Sequence, residues 1–348
     1  GSSSGETTKV TLQLQWFAQA QFAGYYAAVS EGYYKAEGLD VTLKEGAVDI
    51  VPQTVLANGQ ADFALAWVPK ALASREQGAG ITNIAQIFER SATLQVAWAD
   101  SGIKGPADLK GKKVGNWGFG NEYELFAGMG KAGLDPGKDV QLVQQQFDMK
   151  ALLARDIDAA QAMTYNEYAQ VLETKNPKTG ELYKPEDLTV INWNDVGTAM
   201  LQDAIWADTK KLEDKDYKAT AEKFVRASVK GWVFCRDNPE KCADIVTAAG
   251  SKLGKTHQLW MMNEINKLIW PSTGGIGMIS ENQWKQTVTV ALNTKNAEGK
   301  TVITKEPDAV AHTNDVITKV LADLEKDKVD TKGADFKPIT VTLTENGA

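Results

Sequence analysis

Residues 112–125 read KKVGNWGFGNEYEL: a short strand over 112–117, a glycine-rich turn, and a helix opening at Asn121. A strand feeding a glycine turn feeding a helix is a ligand-facing arrangement, because the first N–H groups of a helix lack internal partners. The glycines at 115, 118 and 120 fit neither a dinucleotide fingerprint nor a P-loop, and no Lys-Ser/Thr pair follows them. Glu122 and Glu124 fall in the first helical turn, where they suit the helix dipole and would repel a phosphate. Trp117, Phe119 and Tyr123 set flat apolar faces beside those acceptors. The turn reads as built for a neutral or N–H-bearing aromatic compound; the plainer reading is an ordinary strand–helix connection with acidic capping.

The same alternation extends to either side. Apolar periodicity predicts strands at 10–16, 39–43, 62–67, 81–88 and 95–99, with helices at 23–30, 51–57 and 69–77 between them. After Gly102 the pattern starts again, with strands at 140–146, 159–165 and 189–193 and helices at 149–155 and 166–174. Such alternation implies parallel sheets covered on both faces, which bind ligands at the carboxyl ends of their strands. NGQADFALAWVPKALA (58–73) and ARDIDAAQAMTYNEYAQ (154–170) share a layout: a helix end, an aspartate, a small-residue strand, an aromatic and a new helix. Two lobes of one architecture follow, presenting Trp16 and Trp67 from one and Trp117 and Tyr165 from the other. A strand at 204–207 returns to the first lobe, and helices near 217–235, 240–248, 256–269, 281–292 and 308–326 wrap it.

The expected organisation is a flexible tether at 1–8, a discontinuous lobe of 9–98 plus 201–330, an inserted lobe of 99–200, and a charged tail at 331–348. Two chain crossings near 98 and 200 form a hinge, with the ligand between the closing lobes. The tail holds one strand-like piece at 339–343 and has no assigned place. GSSSGETT (1–8) is either an expression scar or the stalk behind a removed signal and a lipidated cysteine, so a membrane is touched only through such an anchor.

With 348 residues the chain can hold two cores, and its net charge of −7 spreads over a mildly acidic surface with no footprint for nucleic acid. No apolar run approaches the roughly 20 residues of a membrane span. Cys235 and Cys242, in FCRDNPEKC, flank an Asn-Pro turn that can bring them within disulfide reach; the other reading is two free buried thiols. A disulfide would place the protein outside the cytoplasm. The two histidines, His257 and His312, lie away from the cysteines, so no metal site is expected.

EGYYKAEGLDV (31–41), ANGQADFALA (57–66), DSGIKGPADLKGKKVG (100–115) and WPSTGGIGMIS (270–280) resemble the solute-binding proteins of ABC importers. The similarity covers about 9–330 and is strongest to the branch that carries thiamine pyrimidine precursors and riboflavin, with nitrate-, taurine- and alkanesulfonate-binding proteins further off. It implies an α/β periplasmic-binding-protein fold of type II, with two α/β lobes, a hinge and an interlobe cleft. It also implies an extracytoplasmic monomer that has no cofactor and no catalysis and works with a membrane permease. Thiamine-precursor binders tend to carry a Pro-Asn-Thr-Asn-His-like loop after the first strand; FAQAQFAGYY (17–26) lacks that histidine.

The expected site is a slot between aromatic plates (Trp16, Trp67, Trp117, Phe119, Tyr123, Tyr165), with Phe17 beside it. Gln19, Gln21, Asn121, Glu122 and Glu167 would orient ring nitrogens and carbonyls, the two glutamates turning oxyanions away. Each of these residues has a packing role as its alternative. Glu89, Arg90 and Asp203, near the crossings, read equally as ligand contacts or as braces between lobes. The abundance of rings tilts the expected ligand toward riboflavin over a single pyrimidine. The competing functions are a pyrimidine-precursor enzyme on the same fold and a binder of sulfonate or nitrate.

Overall fold

The computed structural model describes residues 6–47 and 49–348, so most of the expected tether, Gly1 to Gly5, lies outside the described residues. Ten strands make up its two sheets: β1 (Thr8–Gln13), β2 (Leu39–Lys44), β3 (Phe63–Trp67), β4 (Ile81–Ala85), β5 (Thr93–Trp98), β6 (Lys113–Asn116), β7 (Gln141–Gln144), β8 (Ala159–Met163), β9 (Leu188–Asn192) and β10 (Asp203–Asp208). The first sheet has the order β2-β1-β3-β10-β4 and the second β7-β6-β8-β5-β9. β3 and β8, the strands of the FALAW and AAQAM segments, take the same central position in the two sheets and are buried along their whole length. The internal repeat is therefore a repeat of place in the sheet.

Neither sheet is purely parallel. β1 runs parallel to β2 and β3, and β6 to β7 and β8, but β10 is antiparallel to β3 and β4, and β5 is antiparallel to β8 and β9. The short crossings explain this. Leaving β4 at its carboxyl end, the chain spans 86–92 and enters the second sheet from the edge facing the first, too short a path for the helical crossover that parallel pairing needs. β9 and β10 repeat the manoeuvre in reverse through 193–202. The boundary expected near residue 98 is thus corrected: β5 already belongs to the second sheet, and the first crossing lies at 86–92.

The helices Lys215–Asp237, Pro239–Ala248, Lys255–Ile269 and Asp315–Lys326 bury Phe224, Val246, Met261 and Val320 in one core with Leu12 and Phe63 of the first sheet. The first of them meets the helix Ala23–Ser30 closely at glycine: an ideal Cβ on Gly231 would sit 1.9 Å from the Gly24 carbonyl oxygen. Cys235 and Cys242 form a disulfide across the Asn238-Pro239 turn, with Cα atoms 5.4 Å apart. Residues 339–343 form no strand. The tail instead runs from the first lobe to the second: Ile339 exchanges two hydrogen bonds with the Asn263 side chain, Leu343 packs on the second sheet's core, and Asn346 donates to the Glu173 carbonyl.

Candidate functional site

The carboxyl ends of both sheets face each other across a cavity of about 120 Å³. Its walls include Trp16, Trp67, Trp117, Phe119 and Tyr165, and its polar lining includes Gln19, Gln21, Asn121 and Glu167. Trp16 and Trp117, from opposite lobes, meet on a common ring: Phe147 lies 4.5 Å from the first and 5.3 Å from the second, centroid to centroid.

Below the floor lies Asp203, at the start of β10. It accepts hydrogen bonds from Trp67 Nε1 (2.7 Å) and Gln21 Nε2 (3.0 Å), and Gln21 Oε1 in turn accepts from Gln19 Nε2 (2.7 Å). One buried carboxyl therefore fixes the plane of a tryptophan and the orientation of two amides, and burial pushes it up to about 6. On the other lobe, burial pushes the Glu167 carboxyl up to about 7, against the Met163 backbone N–H that donates to its Oε1. Lys70 reaches from the first lobe to the glycine turn of the second, donating to Asn121 Oδ1 at 3.2 Å. Burial lowers its pKa while Glu122 and Asp203 pull it upward.

The glycine turn works through its side chains. Its helix starts at Tyr123, two residues later than expected, and three of its backbone donors are already used. Trp117 N donates to Gln161 Oε1, Gly120 N to Glu122 Oε2, and Asn121 N to the Gly118 carbonyl. Gly118, Phe119 and Gly120 all have positive φ, so an exposed aromatic is held in left-handed backbone at the cavity wall. For a residue with a Cβ that costs about 1–2 kcal/mol, and strain of this kind gathers at ligand clamps.

Four expected contacts lie elsewhere. Phe17 turns outward onto Trp16, under the Lys252 ammonium. Glu122 folds back on its own turn, where its Oε2 accepts from the Gly120 N–H at 3.1 Å. Tyr123 packs on the core of the first sheet's other face. Glu89 binds the Ser272 hydroxyl at 2.6 Å and Arg90 caps the carbonyls of Lys267 and Pro271, so this pair braces the end of the Lys255–Ile269 helix.

Sequence reasoning missed Gln53, Lys70 and Phe147, all of which line the cavity. Signals for them existed. Lys70 stands in the first turn after β3 much as Glu167 does after β8, so the repeat that exposed one points to the other. Gln53 and Phe147 follow the carboxyl ends of β2 and β7, where α/β sheets place ligand contacts.

Two five-stranded sheets of one order, joined by a double crossing and facing across a cavity, are the periplasmic-binding-protein fold. The chain is similar over 91% of its length to a solved structure from Bordetella bronchiseptica (TM-score 0.65, 18% identity, 98% of that chain). It is similar over 96% to the periplasmic aliphatic sulphonate binding protein SsuA from Escherichia coli (TM-score 0.60, 15% identity, 92% of that chain). The family model described as NMT1/THI5 like matches residues 19–242, and the chain belongs to that family. Among curated relatives, the formylaminopyrimidine-binding protein of Halalkalibacterium halodurans is 22% identical over 68% of this chain and 69% of its own length. The riboflavin-binding protein RibY of Chloroflexus aurantiacus is 28% identical over 68% of this chain and 65% of its own length. A 4-amino-5-hydroxymethyl-2-methylpyrimidine phosphate synthase of Aspergillus parasiticus is 31% identical, over 44% of this chain and 45% of that enzyme.

Proposed function

We propose that the protein is the extracytoplasmic solute-binding component of an ABC importer, and that its cargo is a flat nitrogen heterocycle of the thiamine-pyrimidine-precursor class. The observation that carries this reading is the interlobe cavity of about 120 Å³ with tryptophan or tyrosine faces from both lobes. Drug-sized ligands occupy pockets of roughly 300–1,000 Å³; this one suits a single substituted ring better than the tricycle of riboflavin. Stacking adds about 0.5–1.5 kcal/mol per aromatic pair beyond burial, and Glu167, half-ionised near neutral pH, offers either a donor or an acceptor to a ring nitrogen. The names of the curated relatives that bind a formylaminopyrimidine and riboflavin support the same ligand class.

An enzyme on this scaffold would need a nucleophile or a free general base. Both cysteines are in the disulfide, and His257 is capped on its two nitrogens by Glu173 (2.7 Å) and Asn166 (2.9 Å). Among the described residues Lys70 is the one basic side chain on the cavity wall; Asn121 accepts from it and the nearby charges of Glu122 and Asp203 offset its own, which disfavours a sulfonate or nitrate cargo. A membrane permease is the partner this function requires.

Titration with 4-amino-5-hydroxymethyl-2-methylpyrimidine, riboflavin and alkanesulfonates, read by tryptophan fluorescence, tests the proposal. The pyrimidine should quench with a Kd below about 1 μM, and Trp117→Ala should weaken it at least about tenfold. No response to any heterocycle, together with saturable binding of a sulfonate, would refute it.

A further inference from the structure

Gln53 stands in the first turn of the helix Pro52–Ala57 and lines the cavity at 4% exposure. Its carbonyl oxygen Oε1 is buried and has no hydrogen-bond partner among the described residues. The other amides of the cavity wall differ. Gln19 and Gln21 are chained to Asp203, Asn121 is held between Lys70 and the Gly118 carbonyl, and Asn166 receives His257 and Gln170. A buried polar group left unpaired costs about 1–3 kcal/mol, and native folds carry few of them without a reason. Here a buried amide on the wall of a ligand cavity lacks a partner that the protein does not supply.

A carboxamide carries a donor and an acceptor on one carbon. Its complement is a ring nitrogen beside an exocyclic amino group, the pairing by which glutamine reads an adenine edge. We propose that Gln53 reads such an amidine edge on the bound ring and so sets selectivity for amino-substituted heterocycles over their des-amino analogues. This rests on the reading of the cavity as a heteroaromatic site. Trp67 and Trp117 hold the faces of the ring and are indifferent to its substituents; Gln53 distinguishes them. Because Oε1 makes no hydrogen bond to the described residues, an apolar side chain of similar size removes recognition without breaking a hydrogen bond there.

The test compares 4-amino-5-hydroxymethyl-2-methylpyrimidine with the same compound lacking the 4-amino group, on the wild type, Gln53→Leu and Gln53→Met, by calorimetry and urea unfolding. The wild type should prefer the amino compound by about 30-fold or more, as a site with a buried polar reader rejects the analogue that leaves it unpaired. Both variants should bind the amino compound about 30-fold more weakly and the des-amino compound within about threefold of wild type, with unliganded stability unchanged or higher. A wild-type preference under about threefold, or variants that keep the wild-type preference, would overturn the assignment of Gln53 while leaving the heteroaromatic site intact. Binding of neither pyrimidine by the wild type would overturn the site reading and the assignment with it.

Discussion

Glu124 carries the sharpest prediction about stability. It lies in the first turn of the helix Tyr123–Lys131 of the second lobe, 4% exposed, at the point where both chain crossings converge. Ser91, from the first crossing, donates to its Oε1 at 2.7 Å, and Gln202, from the second, donates to its Oε2 at 2.9 Å. Burial raises this carboxyl from 4.5 to about 8, more than those hydrogen bonds lower it. The unfolded chain therefore releases this proton near pH 4.5, and the folded protein keeps it to about 8. The stability from this group is fully present below 4.5 and is lost as pH rises through 8. At about 1.4 kcal/mol per pH unit, the loss across that window is about 5 kcal/mol. Glu124→Gln keeps the shape and an acceptor for Gln202, and the Ser91 hydroxyl can turn to accept from the new amide. Urea unfolding of both proteins at pH 5, 6, 7, 8 and 9 isolates the group, since Glu89, Glu167 and Asp203 titrate in both. The variant should gain on wild type by about 2–3 kcal/mol between pH 6 and 8 and hold level above that. Stability curves that stay parallel within about 0.5 kcal/mol would show that Glu124 is not held protonated, and the reasoning would fail.

Three further outcomes are expected. Asp203→Ala strands the Trp67 indole N–H and the Gln21 amide, at about 1–3 kcal/mol each, and should abolish ligand quenching, whereas Asp203→Asn at pH 5 should lie within about 1 kcal/mol of wild type in thermal unfolding. Gly231→Ala forces a methyl onto the Gly24 carbonyl and should cost about 3 kcal/mol in urea midpoint with no change in the ligand pocket. Removing the disulfide by Cys235→Ser with Cys242→Ser should cost about 2–3 kcal/mol, as suits a short loop, and leave ligand affinity unchanged, because neither cysteine lines the cavity.

The lobes were legible in the sequence because buried strands such as FALAW and AAQAM betray themselves by unbroken small and apolar residues, and because Asn58-Gly59 and Pro69 punctuate the helices. The aromatic walls followed from their place at strand ends. What composition could not show was direction: β5 reads like any central strand, and only the short path from β4 makes it run the other way into the other sheet. Side-chain aim was equally hidden. Glu122 and Glu167 both open helices, yet one curls onto a neighbouring N–H and the other lines the cavity. Gln53 sits in a helix that the pattern does show and Phe147 in the connection after β7, but that both side chains reach the cavity is fixed only once the sheets are stacked.

The double crossing also dictates an order of assembly. The second sheet is drawn from one unbroken stretch, β5 to β9, whereas the first needs β10 between β3 and β4. A nascent chain can therefore finish its inner body while the outer one still lacks a middle strand and exposes the flanks of β3 and β4. Synthesis or export that paused before Trp206 emerged would leave two open edges beside a completed neighbour. The helices that cover the first sheet, from Lys215 to Lys326, are made later still, so the outer core closes only when nearly the whole chain is at hand.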